Sequence, residues 1–559
     1  MQQFHFITPN ARTLRSTFCC RRKNTFSSDE MQHDIFLHLW STCSYQLYCF
    51  FGVRDVAHLD SAFSDHSTRK QFHSCLSRSS FVGLLFHGES KEWIMKRNLA
   101  PVGLLLEHNI TDHDAIKLTE SCQAVERLSV GPLLKALSST VLIKLLQHSP
   151  KLKTFELNGC DKVDSLVYRT LAEKCQNLTE LTVQTEDIDT ASMRTLFCSC
   201  PELKKIHITE LKNSLRDSVV SIIGDHCSGL TYLGLSPMGS VGVESLQKLS
   251  SKSACLTTLH LTHCSAGLRE GLLALAKHCT LLTELSLYAS HLDAVLVATF
   301  VHHNKQVKKL ILAFCRGVSD NALWAVAHRC PQLESIDLSF NNSITDFSVV
   351  VLVERCPDLK ELIFTSVRQL TDAAVTAIAA HCRHLEKLNV CNCELLTPAA
   401  LCKVAQQCTK LVSLHVCVES TNDALFQKLA IHCPNFVNLS LHDVSNQPSC
   451  AALYSVSNYL CRLQYFCCAT LNSIPDTAVL QLVENCPHLR TLIIMRLLMV
   501  CQDKRIVKAI ARNCPKLSGL YLGRCTKQVA RAIVKWYLSR NDRASIEIVQ
   551  HVEVTPMLF

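Results

Sequence analysis

Apolar residues recur along most of the chain in a pattern that repeats about every 26 residues. Each unit starts at a small residue and continues as anchor-x-x-L-x-x-L-x-L. The alternation of apolar and polar residues at the end of that pattern predicts a short strand. The following stretch has apolar residues three and four positions apart, as at Leu323, Val326, Ala327 and Cys330, and this spacing predicts a helix with one buried face.

The anchor residues define sixteen registers separated by 25 to 28 residues. A spacing that varies so little over so long a stretch indicates one repeat array rather than several unrelated domains. The anchors are Cys122, Ser149, Cys175, Cys200, Cys227, Ser253, Cys279, Asn304, Cys330, Cys356, Cys382, Cys408, Cys433, Leu460, Cys486 and Cys514.

The repeat also explains much of the cysteine content, which is 32 residues. An anchor is predicted to close the helix on its buried side, where a small and weakly polar side chain fits. Metal ligation would need C-x-x-C pairs, which this sequence lacks. Buried free thiols are therefore the favoured interpretation, and disulfides between stacked anchors are the alternative. A second set is predicted at the turn after the strand: Cys160, Cys264, Cys315, Cys393 and Cys525.

A Thr-Asp or Ser-Asp pair often separates strand from helix, as at Thr345-Asp346 and Thr371-Asp372. Threonine, serine and aspartate side chains accept hydrogen bonds from the free N–H groups of a helix start. We therefore expect these pairs to cap the helices that follow them.

Composition and charge narrow the functional classes. The chain is 48% hydrophobic and 19% charged, which is typical of globular proteins. Its net charge is +9, and five basic residues with no acid lie in residues 1–28, so the remainder carries 9 − 5 = +4. This balance does not predict a nucleic-acid groove. We interpret residues 1–30 as a disordered basic tail, with an organellar transit peptide as the alternative.

No run reaches the roughly 20 apolar residues that a membrane helix needs. We therefore expect a protein with no membrane partner that resides in the cytoplasm or the nucleus.

The L-x-x-L-x-L core, the C-P-x-L anchors and the T-D turns resemble the cysteine-containing leucine-rich repeat over residues 101–540. This resemblance implies an α/β fold, a right-handed leucine-rich-repeat β/α solenoid shaped like a horseshoe, with strands inside and helices outside. Residues 541–559 are expected to form a C-terminal cap. Solenoids of this kind bind other proteins on the concave face.

Repeats of this type commonly follow an F-box, and residues 31–76 resemble one as a small helical N-terminal region. Residues 34–40 and 53–59 are similar to its first two helices. The resemblance implies that Ile35, Leu39, Val56 and Leu59 contact a Skp-type adaptor. The alternative is a helical cap that shields the first repeat. Residues 77–100 are expected to be a helical linker.

Strand positions that flank the inward leucines must face the concavity, because side chains alternate along a strand. In later repeats these positions become apolar or aromatic, and such residues on a polar face predict a contact patch. The predicted partner-binding residues are Ile363, His415, Tyr465, Ile493, Met495 and Tyr521. The alternative is that the C-terminal tail folds across this face and covers it.

These observations predict a non-enzymatic recognition subunit without catalytic, cofactor or metal residues. The family resemblance implies a substrate receptor of a Skp–cullin–F-box ubiquitin ligase, with a protein substrate as its partner. We expect a monomer within a hetero-complex. The alternative is a stand-alone binding scaffold or inhibitor with no connection to a ligase.

Overall fold

A strand and a helix alternate along the part of the chain that the computed structural model describes. That part comprises residues 82–83, 103–106, 125–131, 138–160, 163–185, 188–211, 215–417, 419, 421–442, 451–468, 476–494, 504–517 and 519–522. The predicted basic tail, the F-box-like residues 31–76 and the C-terminal cap at 541–559 lie outside these residues.

The described residues form one parallel sheet of 18 strands. The strands are β1 (Val82–Gly83), β2 (Gly103–Leu106), β3 (Arg127–Val130), β4 (Thr154–Cys160), β5 (Glu180–Thr185), β6 (Lys205–Glu210), β7 (Tyr232–Ser236), β8 (Thr258–Thr262), β9 (Glu284–Tyr288), β10 (Lys309–Ile311), β11 (Ser335–Asp337), β12 (Glu361–Ile363), β13 (Lys387–Asn389), β14 (Ser413–Cys417), β15 (Asn438–His442), β16 (Tyr465–Cys468), β17 (Thr491–Ile494) and β18 (Gly519–Leu522).

From the loop after β3 onwards, a helix connects each strand to the next. The helices are α1 (Ser139–Gln147), α2 (Ser165–Lys174), α3 (Thr190–Ser199), α4 (Asp217–His226), α5 (Val243–Lys252), α6 (Arg269–His278), α7 (Ala294–His303), α8 (Asp320–Arg329), α9 (Asp346–Arg355), α10 (Asp372–His381), α11 (Pro398–Gln407), α12 (Asp423–His432), α13 (Ala451–Tyr459), α14 (Asp476–Asn485) and α15 (Lys504–Asn513). None of these helices is long and apolar enough to span a membrane.

Each strand pairs with the next strand in the chain, in parallel and in a register of one repeat. Leu310 is opposite Ile336, Ile336 is opposite Leu362, and Leu362 is opposite Leu388. These central residues are buried against the helices. Equivalent residues therefore stack into continuous rows, and the predicted α/β solenoid is confirmed.

The sheet begins earlier than the sequence predicts. Val82 is opposite Gly103 and Gly83 is opposite Leu104, so β1 lies within the segment 77–100 that was expected to be a helical linker. That expectation is wrong for these two residues. An edge strand such as β2 leaves a row of backbone N–H and C=O groups unpaired, and pairing with a further strand satisfies them.

The anchors occupy the predicted place at the buried end of each helix. Every anchor in the described residues is at most 5% exposed. The thiol of one anchor also approaches the carbonyl of the anchor before it: Cys356 Sγ lies 3.4 Å from the Cys330 oxygen, and Cys408 Sγ lies 3.3 Å from the Cys382 oxygen. The same contact recurs at Cys175, Cys200, Cys330, Cys433, Cys486 and Cys514.

The thiol contact explains why the anchor is more than a small filler. The carbonyl of an anchor already accepts an N–H from the turn that follows it, as the Cys330 oxygen does from Leu333 at 3.2 Å. A carbonyl oxygen has two lone pairs, so the thiol, which is a weak donor, can bond to it as well across the interface between repeats. Where the anchor is Ser149 or Ser253, the hydroxyl donates to a carbonyl of its own helix instead, at 2.8 Å and 2.7 Å respectively.

The aspartates of the Thr-Asp pairs act differently from the prediction. Thr345 is the N-cap of α9 and its side chain makes no capping bond there, whereas the Thr371 hydroxyl accepts the Ala373 N–H at 3.2 Å and caps α10 as predicted. The carboxylate of Asp320 accepts the Thr345 N–H at 2.9 Å and the Thr345 hydroxyl at 2.7 Å. Asp346 accepts from Thr371 in the same way, at 2.8 Å and 2.5 Å. Each aspartate therefore bridges its helix start to the next repeat.

All cysteines among the described residues are free thiols, and most are buried. Burial is the main cause that raises the pKa of Cys330, Cys356 and Cys382 to about 12, and the charge of neighbouring thiols contributes to this rise at Cys330 and Cys382. Only the thiolate reacts with alkylating agents. The anchors should therefore be unreactive in the folded protein.

We predict that iodoacetamide at pH 8 modifies the exposed Cys198, Cys255 and Cys461 at least a hundredfold faster than the three anchors above. A three-unit rise in pKa lowers the thiolate fraction by about a thousandfold, and burial blocks access as well. Peptide mass spectrometry after timed quenching measures the rates, and the same reaction in 6 M guanidinium provides the unfolded control. An anchor modified as fast as Cys461 in the folded protein would contradict this packing.

Candidate partner-binding site

Among the described residues, helices cover one face of the sheet and leave the other face, here called the open face, uncovered. The open face is formed by the strand positions that flank the buried central residues, and these positions are mostly half-buried. In β12, for example, Glu361 and Ile363 face outward while Leu362 is buried. This open face is the concave face of the sequence prediction.

The described residues of the predicted patch lie on the open face. Ile363, His415, Tyr465 and Ile493 are all half-buried there. Met495 lies outside the described residues. Tyr521 belongs to the backbone of β18, but its side chain is not described. The adaptor-contact residues Ile35, Leu39, Val56 and Leu59 also lie outside the described part of the chain, and their role stays a prediction.

The predicted residues do not form one continuous apolar surface. Ile493 is opposite Tyr521 in the neighbouring strand. Ile363 lies in the same row of the sheet but is separated from His415 by Asn389. The thiols of this region do not add to an exposed surface, because Cys417 and Cys467 are only 2% and 3% exposed.

Charged residues at the starts of the strands, or one position before them, pair with each other from repeat to repeat. Glu334 Oε1 lies 3.0 Å from the Lys308 ammonium, and Glu334 also pairs with Lys360. Hydrogen bonds from both lysines hold the pKa of Glu334 below its usual range. The Glu361–Lys387 contact of 3.2 Å extends this arrangement. Exposed pairs of this kind contribute little stability, so their main effect is to leave this strip of the face nearly neutral.

A histidine–tyrosine cluster lies at the N-terminal part of the open face. The Tyr232 hydroxyl is 3.3 Å from His207 Nδ1 and 3.3 Å from His260 Nδ1. Gly234 leaves the room for the His207 ring, because a Cβ at this position would come within 2.1 Å of His207 Nδ1. Burial lowers the pKa of both histidines, although Glu284 opposes the shift at His260. The sequence analysis missed this cluster.

A row of aromatic side chains crosses the middle repeats at the ends of their strands. Ring centroids are 6.2 Å apart for His263 and Tyr288, 5.5 Å for Tyr288 and Phe314, and 3.9 Å for Phe314 and Phe340. The last two rings are stacked, and Phe340 is 37% exposed. In the sequence, the signal was that Phe314 and Phe340 are 26 residues apart. Each directly precedes the turn residue of its repeat, which is Cys315 or Asn341.

Several residues of this row have an unusual backbone conformation. Phe314 has φ = 58° and Phe340 has φ = 62°. Bulky side chains rarely adopt a left-handed conformation. It recurs at one position per repeat, because the N–H there donates to the next strand's end, as Phe340 N–H does to the Thr365 carbonyl at 2.8 Å. The equivalent residues are His263, Ala289, Ser366 and Asn392.

No family model matches the chain. Three solved structures have similar folds. A chain in the crystal structure of the Rad7 and Elc1 complex in yeast has a TM-score of 0.45 at 15% identity, over 76% of this chain and 96% of that one. One from the Toll–Spatzle complex in Drosophila has a TM-score of 0.32 at 13% identity, over 76% and 54%. One from the TLR13–ssRNA13 complex has a TM-score of 0.34 at 13% identity, over 76% and 68%.

The protein is a leucine-rich-repeat solenoid. Its parallel strands, alternating helices and one-repeat register establish this fold directly. The similarity to the three solved structures is too low to extend any of their partners to this chain. The described residues contain no group of three or more histidine, cysteine or acidic side chains arranged to hold a metal ion.

The buried histidines make stability depend on pH. Because burial lowers the pKa of His207 in the folded state, the unfolded state, with a histidine pKa near 6.5, binds the proton more readily. The contribution of His207 to the free energy of unfolding should therefore be fully present above pH 6.5 and should fall as the pH drops below that value. Replacing His207 with asparagine should flatten this dependence, leaving the smaller contribution of His260.

Urea denaturation followed by circular dichroism at pH 7.5 and 5.5 measures this difference. The matched control is His381→Asn, since His381 is exposed at the end of α10. Equal loss of stability at pH 5.5 in wild type and His207→Asn would show that the cluster does not titrate as described.

Proposed function

We propose that this chain is a protein-recognition subunit that holds its partner on the open face of the sheet. The observation that carries the proposal is the size and continuity of that face. Sixteen strand-to-strand steps from β2 to β18 at about 4.8 Å give a length of roughly 80 Å. With a width of about 10 Å, the face offers on the order of 800 Å², which is the area that one partner contributes to a typical protein–protein interface.

The finer proposal is a substrate receptor of a Skp–cullin–F-box ubiquitin ligase. It is supported by the F-box-like sequence at residues 31–76 ahead of the repeats. In this proposal Ile35, Leu39, Val56 and Leu59 contact the Skp-type adaptor. The receptor acts as a monomer within the hetero-complex, in the cytoplasm or the nucleus. The protein itself performs no catalysis, and the ligase partners supply the chemistry.

The second candidate is a stand-alone binding scaffold or inhibitor. It is favoured by the same open face together with the interpretation of residues 31–76 as a helical cap. The two candidates share the partner-binding face and differ only in adaptor binding. One co-purification experiment therefore separates them.

We predict that the tagged full chain retains a co-expressed Skp-type adaptor, and that Leu39→Asp lowers this retention at least tenfold. A carboxylate at position 39 would be buried without a partner among the apolar residues proposed to contact the adaptor. Tyr465→Glu should leave adaptor retention unchanged but remove proteins bound to the open face. Quantitative mass spectrometry of the retained proteins measures both effects.

The matched control for the open face is Tyr459→Glu, because Tyr459 is 38% exposed on α13. Loss of the same captured proteins in both tyrosine variants would contradict recognition on the open face. Absence of adaptor from the wild-type chain, with open-face capture intact, would replace the ligase receptor by the stand-alone scaffold.

A further inference from the structure

The middle of the open face combines an unpaired acid with an exposed aromatic stack. Asp337, at the end of β11, is half-buried. It accepts the Ser339 N–H at 2.9 Å and the Ser339 hydroxyl at 2.7 Å, both through Oδ1. No described residue donates a hydrogen bond to Oδ2, and no described cation lies within ion-pair distance of Asp337.

This lack of a cation distinguishes Asp337 from neighbouring acids on the same face. Glu284 pairs with Lys309 at 2.9 Å, and Glu361 pairs with Lys387 at 3.2 Å. Burial raises the pKa of Asp337, and the charge of Glu361 adds to the rise. An ionised carboxylate in such surroundings gains from a positive charge brought by another molecule.

A row of aromatic rings crosses the repeats around Asp337. Phe340 directly follows Ser339, which holds Asp337, and its ring stacks on Phe314 at 3.9 Å. The Phe314 N–H donates to the Ser339 carbonyl at 2.8 Å. Tyr288 lies at the other side: its ring contacts Phe314 at 5.5 Å, and after burial the charge of Asp337 is the main cause that raises its pKa.

Apolar side chains complete the surroundings of Asp337. Ile311 and Ile363 are its neighbours in the adjacent strands, and both are half-buried on the open face. Ile363 is also one of the predicted partner-binding residues. Asp337 therefore lies between two isoleucines in its row of the sheet, and the stacked Phe314 and Phe340 follow three residues after Ile311 and Asp337 in their repeats.

The backbone of the turn does not select the aromatic rings. The left-handed conformation recurs at the equivalent position of successive repeats with other side chains, as at His263, Ala289 and Ser366. Asn392 occupies the equivalent position two repeats later and tolerates this conformation better. Phenylalanine at 314 and 340 is thus not required by the turn.

We propose that Asp337, Phe314, Phe340 and the flanking isoleucines form a subsite for an arginine side chain of the protein partner. A guanidinium group is planar, stacks on aromatic faces and donates two hydrogen bonds to one carboxylate. Its methylene groups would lie against Ile311 and Ile363. This inference rests on the proposed use of the open face, and it specifies the partner's chemistry at one place.

The test uses the full chain and three peptide pools that are random except for one central residue, fixed as arginine, leucine or glutamate. We expect the arginine pool to bind at least fivefold more strongly than the other two. Asp337→Asn keeps the acceptor for Ser339 but removes the charge, and it should reduce arginine binding at least fivefold. Fluorescence anisotropy of the labelled pools measures the binding.

Phe340→Asn provides a second and independent variant. It should also reduce arginine binding at least fivefold, while its urea midpoint stays equal to or above that of wild type, because asparagine suits the left-handed backbone. The matched control is Glu334→Gln, which removes a carboxylate that already has two lysine partners. Its arginine binding should match wild type.

Equal binding of the arginine pool by wild type and Asp337→Asn would overturn the subsite. Preferential binding of the leucine or glutamate pool would also overturn it, but would leave the open face as a binding surface. If no pool binds the wild-type chain above an unrelated protein, the subsite is overturned and the proposed use of the open face is weakened with it.

Discussion

Hydrogen bonds between consecutive repeats are the interaction on which the rest of this structure depends. The backbone of each strand pairs with the strand one repeat later, as at Lys360 N–H and the Glu334 carbonyl, 2.7 Å apart. Anchor thiols add a contact at the helix ends, and the aspartates of the helix starts add another. All three interactions connect adjacent repeats. The free energy of unfolding is therefore close to a sum of contributions from single repeats and from the interfaces between them. In the described repeats, the buried side chains form one continuous core that runs along the array.

This arrangement explains which features could be predicted from the sequence. The leucine spacing and the anchors repeat with the period of the stacking, so strand, helix and buried positions followed from the pattern. Contacts between side chains 26 residues apart were harder to predict. Alternation along a strand tells which face of the sheet a residue occupies, but not which side chain lies opposite it in the next repeat. Asp346 was therefore predicted to cap its own helix, whereas it accepts from Thr371 of the next repeat.

The open face shows the same limit. The His207–Tyr232–His260 cluster needs the gap at Gly234, which lies between His207 and His260 in the same row of the sheet, and only the register reveals that these positions are adjacent. The aromatic row was missed because left-handed positions are usually recognised by glycine or asparagine, and here phenylalanine takes their place. The face thus divides into a histidine–tyrosine part and an aromatic and acidic part, with a neutralised charge strip along the strand starts. A partner that spans it would meet a different chemistry in each.

The most direct measurement of repeat stacking is to delete one unit of the array and compare it with the deletion of half a unit. Removing residues 331–356 joins Cys330 to Pro357 and restores the C-P-x-L sequence at the junction. The account predicts that this variant keeps its helical circular dichroism per residue, its protease resistance and a cooperative urea transition. Removing residues 331–343 should abolish all three, because the leucines would then face the wrong neighbours. If both deletions unfold the chain to the same degree, the repeats are not interchangeable stacked units, and the account is contradicted.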